Sequence, residues 1–444
     1  MLPEKVPGRE TRVEFPTQIE AFRREGPDFL TRAFHAAGSL PLDDKVVAIH
    51  RAEEFVGGGM GRKLLLDIEY ARGEGLKRHL FVKFPLDYGH PLRELFTRPM
   101  DAEVRFSLLS MRTALPITIP EVYFADFDPD TMSGILISER LPFGSAGIEP
   151  ALEKCQDYNL ADPFDYYRTM TIAMATLSGA HRSGRLGSEV DAMFPPPLVR
   201  TPDERFPHSK EVMRVKIAKL RSYAKTAPHL LPKNFSTDAF LDRFSWEVDL
   251  VLDNQDVIYR ILNGAQDFIA LCHWNANIDN AWFSRDTAGA LAVGLLDWGS
   301  VSQLNLARAF WGMDCAAELD FLDRHRRELM QIFVDHYAEA GGPVISVDDF
   351  EFMYRLAIAT DGVYWMADAP SIIEANLPNY AEMSGRSDAR LQNCFLARAQ
   401  QHILTVMLNE WSFSDVQNLV PLALGAEHRF VAAAPSGADR TIRA

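Results

Sequence analysis

The spacing of apolar residues changes near residue 160, and this change constrains the fold more than any single motif. Before it, short apolar runs bounded by turn-forming residues predict β-strands. After it, apolar residues recur every three or four positions over long segments, which predicts helices. The sequence therefore predicts an α+β protein, with a small antiparallel β-rich N-terminal part and a large helical C-terminal part.

The predicted elements alternate in the N-terminal part and are mainly helical in the C-terminal part. The first part should contain helices over 17–38 and 101–115 and strands over 45–56, 64–71, 79–85, 121–128 and 134–141. The second should contain helices over 166–184, 210–225, 238–254, 326–341, 348–368 and 396–412, and a short β-like segment over 267–301. The predicted domains are a helical extension (1–44), a β-rich lobe (45–141), a helical lobe (142–430) and a flexible tail (431–444).

Composition narrows the class of protein. Hydrophobic residues make up 47% of the 444 residues and charged residues 24%, which is typical of soluble globular proteins. The formal net charge of −15 argues against a nucleic-acid partner, because such proteins need a basic face. The sequence has no apolar run long enough for a transmembrane helix and no secretory signal, so we expect no membrane partner and a cytoplasmic location. The four cysteines are far apart and are interpreted as core thiols rather than as disulfides or zinc ligands.

A glycine cluster lies in the predicted hairpin between the first two strands of the β-rich lobe. Its members are Gly57, Gly58, Gly59 and Gly61. Such a loop lets backbone amides approach a phosphate, although a simple flexible turn has the same composition. Lys83 follows in the middle of an apolar strand, where its ammonium group needs a counter-charge, and Glu103 on the next helix is the candidate. The alternative is a solvent-facing lysine.

Two polar segments interrupt the apolar runs of the β-like segment. Asn280 ends the first, HWNANIDN, and Asp297 lies in the second, LDWG. An amide oxygen and a carboxylate suit Mg²⁺, a hard ion that also binds substrate phosphates. The alternative for these residues is a polar turn that caps a helix. His181 at a helix end is interpreted as structural, while Tyr364 and Trp365 either line an apolar pocket or pack in the core.

Taken in order, these motifs resemble the kinase-like phosphotransferases, and within them the aminoglycoside phosphotransferase and ecdysteroid-kinase-like families. The resemblance spans roughly residues 45 to 370 and lies in the order of several motifs: the glycine hairpin, FVKFP, a helix glutamate, ISERL, ATLSGAHRSG, H-x-N-x-x-x-x-N and LLDWG. It implies a protein-kinase-like, two-lobed fold. It also implies a phosphotransferase that uses ATP and Mg²⁺ and acts on a small-molecule hydroxyl.

The resemblance also implies roles for individual residues. The glycine loop would cover the ATP phosphates, and Lys83 would bind the α- and β-phosphates while it pairs with Glu103. Asn280 and Asp297 would hold Mg²⁺. The adenine edge would meet the backbone of a hinge over 138–141, which includes Glu139 and Leu141. The helical insert at about 185–265 and the C-terminal helices would form the acceptor pocket.

One position departs from the family pattern. The family motif H-G-D-x-x-x-x-N has an aspartate where this chain has Asn275 and a glycine where it has Trp274. An amide cannot take up a proton, but its oxygen can accept a hydrogen bond and orient a hydroxyl. Three hypotheses therefore stay open: a slow or atypical small-molecule kinase, a kinase-like binding protein without activity, and a different reaction on this scaffold. Asp279 is an alternative source of a carboxylate.

Overall fold

The structure is a computed structural model, and it describes residues 3–55, 61–91, 93–197 and 209–431. Two compact units divide the chain. The first comprises Met1–Ala151, Gly184–Phe194 and Asn280–Ser302, and the second comprises Leu152–Ser183, Pro195–Asp279 and Gln303–Ala444. The predicted domain boundaries stay predictions. The two compact units have other limits, because 184–194 and 280–302 belong to the first unit. The predicted tail lies outside the described residues, apart from residue 431.

The described elements are eleven strands and fourteen helices. The strands are β1 Lys5–Pro7, β2 Glu14–Pro16, β3 Val46–Glu54, β4 Arg62–Tyr70, β5 His79–Phe84, β6 Val122–Asp128, β7 Ser133–Glu139, β8 Ile269–His273, β9 Ala281–Arg285, β10 Leu291–Leu295 and β11 Val301–Asn305. The helices are α1 Ile19–Ala37, α2 Arg93–Arg112, α3 Pro163–Arg182, α4 Val190–Met193, α5 Lys210–Thr226, α6 Asp238–Gly264, α7 Leu306–Asp314, α8 Leu319–Glu339, α9 Val347–Ala357, α10 Val363–Met366, α11 Ala369–Asn376, α12 Ala389–Asn393, α13 Phe395–Ser414 and α14 Val416–Phe430.

The first unit is built on a five-stranded antiparallel sheet in the order β3-β4-β5-β7-β6. Its two faces bury different helices because side chains alternate along each strand. Ile135 and Ile137 of β7 share a core with α1, whereas Leu136 between them shares a core with Val104 of α2. The α+β class, with a small antiparallel sheet and a larger helical part, is thereby confirmed.

The first predicted helix differs from its expected form. It ends at Gly38 as predicted, and the left-handed Gly38 (φ 73°) donates its amide to the His35 carbonyl. Inside it, Gly26 has non-helical angles (φ 64°, ψ −156°) immediately before Pro27, so the helix is kinked there. The short β1–β2 hairpin before it was not predicted, since two three-residue strands carry no periodic signal.

The second unit is helical apart from the two-stranded sheet of β8 and β11. Helix α3 packs against α8, and α6 packs against α14. The helix predicted over 348–368 is instead three segments, because a π-helical turn at Ile358–Gly362 separates α9 from α10. Such turns are rare and often lie at functional sites.

A buried ionic network ties four helices of this unit together. Arg326 of α8 forms an ion pair with Glu410 of α13, whose side chain is fully buried. The Tyr354 hydroxyl of α9 lies 3.1 Å from Glu410 Oε2 and 3.2 Å from Oδ2 of Asp314 in α7. Burial raises the pKa of both Glu410 and Asp314 from its usual value.

Replacing Arg326 with methionine should lower the free energy of unfolding by about 3–5 kcal/mol, because it leaves a buried carboxylate without its cation. Arg327→Met is the matched control. Its guanidinium pairs with Asp348 and Glu351 on the surface with 57% of the side chain exposed, and such pairs contribute about 0–1 kcal/mol. Urea denaturation of both variants measures the difference, and equal losses would contradict this account of the network.

Candidate functional site

Lys83 of β5 lies between two carboxylates of the first unit. Its Nζ is 2.6 Å from Glu103 Oε1 on α2 and 3.2 Å from Asp297 Oδ1 in the turn after β10. The Lys83 side chain is 17% exposed and that of Glu103 is 9% exposed, whereas Asp297 is 36% exposed. The structure therefore brings together three residues that are far apart in sequence, and the most exposed of them can still meet a ligand.

The two carboxylates stabilise the charge of Lys83, while they disfavour each other's negative charge. Burial would lower the pKa of Lys83, but the neighbouring Asp297 and Glu103 carboxylates outweigh it and the pKa is raised. The pKa of Glu103 is raised, first by burial and then by the negative charge of Asp297, against the opposing effect of Lys83. An ammonium group that stays protonated suits the binding of an anion.

The turn that carries Asp297 is held against α2 by its neighbours. The Trp298 indole stacks on Phe106 of α2, with ring centroids 3.8 Å apart and planes at 17°, and its Nε1–H donates to the Leu295 carbonyl at 3.2 Å. A Cβ at Gly299 would lie 3.0 Å from Cβ of Pro99, so a small residue favours this close approach. The same helix thus positions both Glu103 and Asp297.

Asp297 itself has a left-handed backbone, with φ 63° and ψ 60°. For a residue with a Cβ this conformation costs about 1–2 kcal/mol, although aspartate tolerates it better than most. Non-glycine residues in this region cluster at functional sites. The strained backbone therefore marks Asp297 as a functional candidate independently of its ion pair.

Asn280 lies next to this turn. Strands β9 and β10 pair in register from Leu295↔Ala281, and the Leu296 amide donates to the Asn280 carbonyl at 3.0 Å. Asn280 and Asp297 therefore meet at the same end of one hairpin. A carboxylate and an amide oxygen are ligands of the type that Mg²⁺ accepts together with waters and phosphates. The described residues hold no cluster of three or more histidine, cysteine or acidic side chains suited to a metal.

The sequence analysis missed Lys63 of β4. It lies directly opposite Lys83 in the β4–β5 ladder and is 6% exposed. Burial, and then the positive charge of Lys83, lower the pKa of Lys63. The alternation of side chains along the strand does place Lys63 on one face of the sheet with Leu65 and Asp67. Its pairing with Lys83, however, depends on the hairpin register, which this alternation alone does not fix.

The glycine loop is described only at its edge. Gly57, Gly58 and Gly59 lie outside the described residues, and their predicted role stays a prediction. Gly61 has φ 92°, and a Cβ there would lie 2.4 Å from the Phe84 carbonyl oxygen, so glycine is required. Arg62 beside it binds Glu54 and Asp87, each at 2.9 Å. These pairs hold the two strand ends that flank the loop.

The predicted hinge follows β7. The amides of Glu139 and Arg140 donate to the carbonyls of Glu121 and His79, at 2.8 and 3.0 Å. The Glu139 carboxylate accepts from the Glu121 amide at 3.0 Å and lies 3.4 Å from Lys77 Nζ. The predicted contact of this hinge, with Glu139 and Leu141, to the adenine edge stays a prediction.

Asn275 lies in the second unit, in the turn after β8. Its Oδ1 accepts a hydrogen bond from Asn277 Nδ2 at 3.1 Å, and the same Nδ2 donates to the Gly312 carbonyl of α7 at 2.6 Å. A Cβ at Gly312 would lie 1.7 Å from the Trp274 carbonyl oxygen, so the turn packs directly on α7. Asp279, the alternative carboxylate, lies 3.6 Å from Lys154 Nζ.

Three other sequence candidates, His181, Tyr364 and Trp365, have defined surroundings. His181 Nδ1 accepts a hydrogen bond from the Leu271 amide at 3.1 Å, which is a structural role. Trp365 is 54% exposed, and its ring centroid lies 5.2 Å from that of Trp274 and 5.4 Å from that of Tyr364. Their role in an acceptor pocket stays a prediction.

No helix among the described residues has the length and apolar character needed to cross a membrane.

Similar proteins are found among solved structures but not by sequence. No family model matches the chain, and no curated protein matches it. A microcompartment-associated aminopropanol kinase is 14% identical, with a TM-score of 0.38, over 90% of this chain and 98% of that one. A spectinomycin phosphotransferase solved with ADP and spectinomycin is 12% identical, with a TM-score of 0.42, over 85% and 94%. A Plasmodium vivax ethanolamine kinase is 11% identical, with a TM-score of 0.40, over 82% and 81%.

Proposed function

We propose that this chain is an ATP- and Mg²⁺-dependent phosphotransferase that acts on a hydroxyl of a small molecule. The observation that carries the proposal is the buried Lys83 ammonium group, which lies 2.6 Å from Glu103 and 3.2 Å from Asp297. An ammonium fixed by one carboxylate, beside a second carboxylate that is partly exposed, is the arrangement that binds a nucleotide and its metal ion.

The sheet face that carries Lys83 is cationic at one end and apolar further along, which suits a nucleotide. Lys63 and Lys83 pair at one end, and Leu65 and Phe81 pair two residues along, about 7 Å away. A polyphosphate would suit the cationic end, and a flat base would suit the apolar pair. Lys83 would bind phosphate oxygens, while Glu103 holds its amino group in place.

Asp297 and Asn280 would hold the magnesium ion. Their donor types fit, because a partly exposed carboxylate and a residue with an amide oxygen lie at the same end of one hairpin. When bound, the ion supplies neutralisation of the charge that develops on the transferring phosphoryl group. Lys83 adds a fixed positive charge to the same surroundings.

In the proposed reaction the acceptor oxygen forms a bond to the γ-phosphorus, and the bond from that phosphorus to the β–γ bridging oxygen breaks to release ADP. The hydroxyl proton passes to solvent, because the Asn275 amide cannot accept it. Asn275 Oδ1 would accept the hydrogen bond that orients the hydroxyl. Because phosphoryl transfer depends mainly on positioning and charge stabilisation, the reaction can proceed slowly without a base.

A second candidate function is a nucleotide-binding protein without turnover. The amide at Asn275 favours it, because general-base assistance is worth about 10²–10⁴-fold in rate. Both candidates need the Lys83 site. Mass detection of phosphorylated products from a library of hydroxyl compounds, incubated with the protein and Mg-ATP, separates them.

The test of the shared premise is nucleotide binding. Mg-ATP at about 100 times its dissociation constant should stabilise the wild-type protein by about 2.7 kcal/mol, seen as a rise in Tm. Lys83→Met should lose this stabilisation, since it removes the ammonium group. Lys45→Met, an exposed lysine in the same unit, should keep it. No shift of the wild-type protein at millimolar Mg-ATP would contradict the proposal.

A further inference from the structure

We propose that Lys63 is a second phosphate-binding residue, so that a pair of lysines from neighbouring strands, rather than Lys83 alone, binds the nucleotide phosphates. The inference rests on the proposed function and deepens it. The resemblance assigned a role to Lys83 only.

The register of the sheet places the two lysines together. Lys63 of β4 is the direct cross-strand partner of Lys83 of β5 in an antiparallel ladder. Side chains that are directly opposite project from the same face, with Cβ atoms about 4.5–5.5 Å apart. The opposite face is filled by apolar neighbours such as Leu64 and Val82, which belong to the core with α1. Both lysines therefore emerge on the face where Glu103 and Asp297 approach.

The burial of Lys63 needs an explanation. It is 6% exposed, and lysine is almost never buried to this degree without charged partners. Two ammonium groups opposite each other destabilise a sheet. The carboxylates of Glu103 and Asp297 offset this repulsion, and both act on Lys63 electrostatically.

Adding a divalent cation at Asp297 changes this balance. The four side chains then carry two positive and two negative charges, and the ion adds two positive charges. The surplus attracts a polyanion, and a triphosphate supplies more oxygen acceptors than one lysine can bind. If Lys63 only balanced the charge of the carboxylates, its replacement would not change ligand affinity according to the number of phosphates in the ligand.

The test compares ligands that differ in phosphate content. Binding of Mg-ATP, Mg-tripolyphosphate and adenosine is measured by calorimetry for the wild-type protein, Lys63→Met, Lys63→Arg and the control Lys45→Met. We expect Lys63→Met to weaken Mg-ATP and Mg-tripolyphosphate about tenfold or more, as for a lost hydrogen bond to a charged group, and to leave adenosine unchanged. Lys63→Arg should recover part of the affinity because it keeps the charge.

A labelling experiment on the wild-type protein needs no variant and covers the case in which Lys63→Met does not fold. Modification of Lys63 by an amine-reactive reagent, followed by mass spectrometry, should slow about tenfold or more in Mg-ATP and stay unchanged in adenosine. Equal Mg-ATP affinity of Lys63→Met and wild type, or equal labelling with and without Mg-ATP, would overturn the role of Lys63 alone. A wild-type protein that binds no Mg-ATP would overturn the proposed function as well.

Discussion

Replacing Asp297 with asparagine is expected to lower Mg²⁺-dependent phosphoryl transfer by about 10²–10³-fold or more, which is the effect of removing one electrostatic contact to a transferring group. The substitution removes one charge and keeps the shape of the side chain. Asparagine tolerates the left-handed backbone of this turn (φ 63°) as well as aspartate does, so the local fold should persist. Lys83 keeps its partner Glu103 at 2.6 Å, so the fold should persist, with some loss of stability because Asp297 no longer offsets the repulsion between Lys63 and Lys83.

The measurement is the release of ADP from ATP at saturating Mg²⁺, with water or a hydroxyl compound as acceptor, together with the affinity for Mg-ATP. Asp43→Asn is the matched control, because Asp43 lies in the same unit and pairs with Arg72 at the surface. Its activity should equal that of the wild type. Transfer by Asp297→Asn within a factor of about three of wild type would show that this carboxylate does not hold the metal ion.

The site residues that the sequence predicted are polar or charged residues that interrupt apolar segments. Lys83 is a charged residue inside an apolar strand, so the sequence alone predicts that it needs a carboxylate partner. Glu103 on the following helix is a candidate for that partner. The Asp297 turn can be read in the same way, since polar residues interrupt a buried run. Such conflicts are visible in sequence because local physics alone would not place these residues there.

Lys63 was missed for a physical reason. Its role depends on which residue faces it across the hairpin, and a slip of one residue would turn it to the opposite face. The π-helical turn at Ile358–Gly362 was missed because it does not interrupt the helical spacing of apolar residues. The kink at Gly26 was missed although the following Pro27 is a helix-breaking signal that the sequence does contain.

Replacing Asn275 with aspartate is expected to raise phosphoryl transfer by about 10²–10⁴-fold, because the carboxylate can take the proton of the attacking hydroxyl. The local structure favours a clean substitution. Asn275 Oδ1 accepts a hydrogen bond from Asn277 Nδ2 at 3.1 Å, and a carboxylate oxygen accepts the same bond. The turn should therefore keep this hydrogen bond, while the substitution replaces the Nδ2–H donor with a charged, basic oxygen.

Asn275→Ala is the control for this variant, because it removes both the acceptor oxygen and any basicity. Transfer to the hydroxyl library and to water is followed for the three proteins at matched Mg-ATP occupancy. A gain for Asn275→Asp with a loss for Asn275→Ala shows that orientation operates in the native protein and that the missing base limits its rate. A loss in both variants would instead mean that the amide is itself required, since its Nδ2–H and its neutrality distinguish it from the carboxylate. The native reaction would then not be transfer to a hydroxyl assisted at this position.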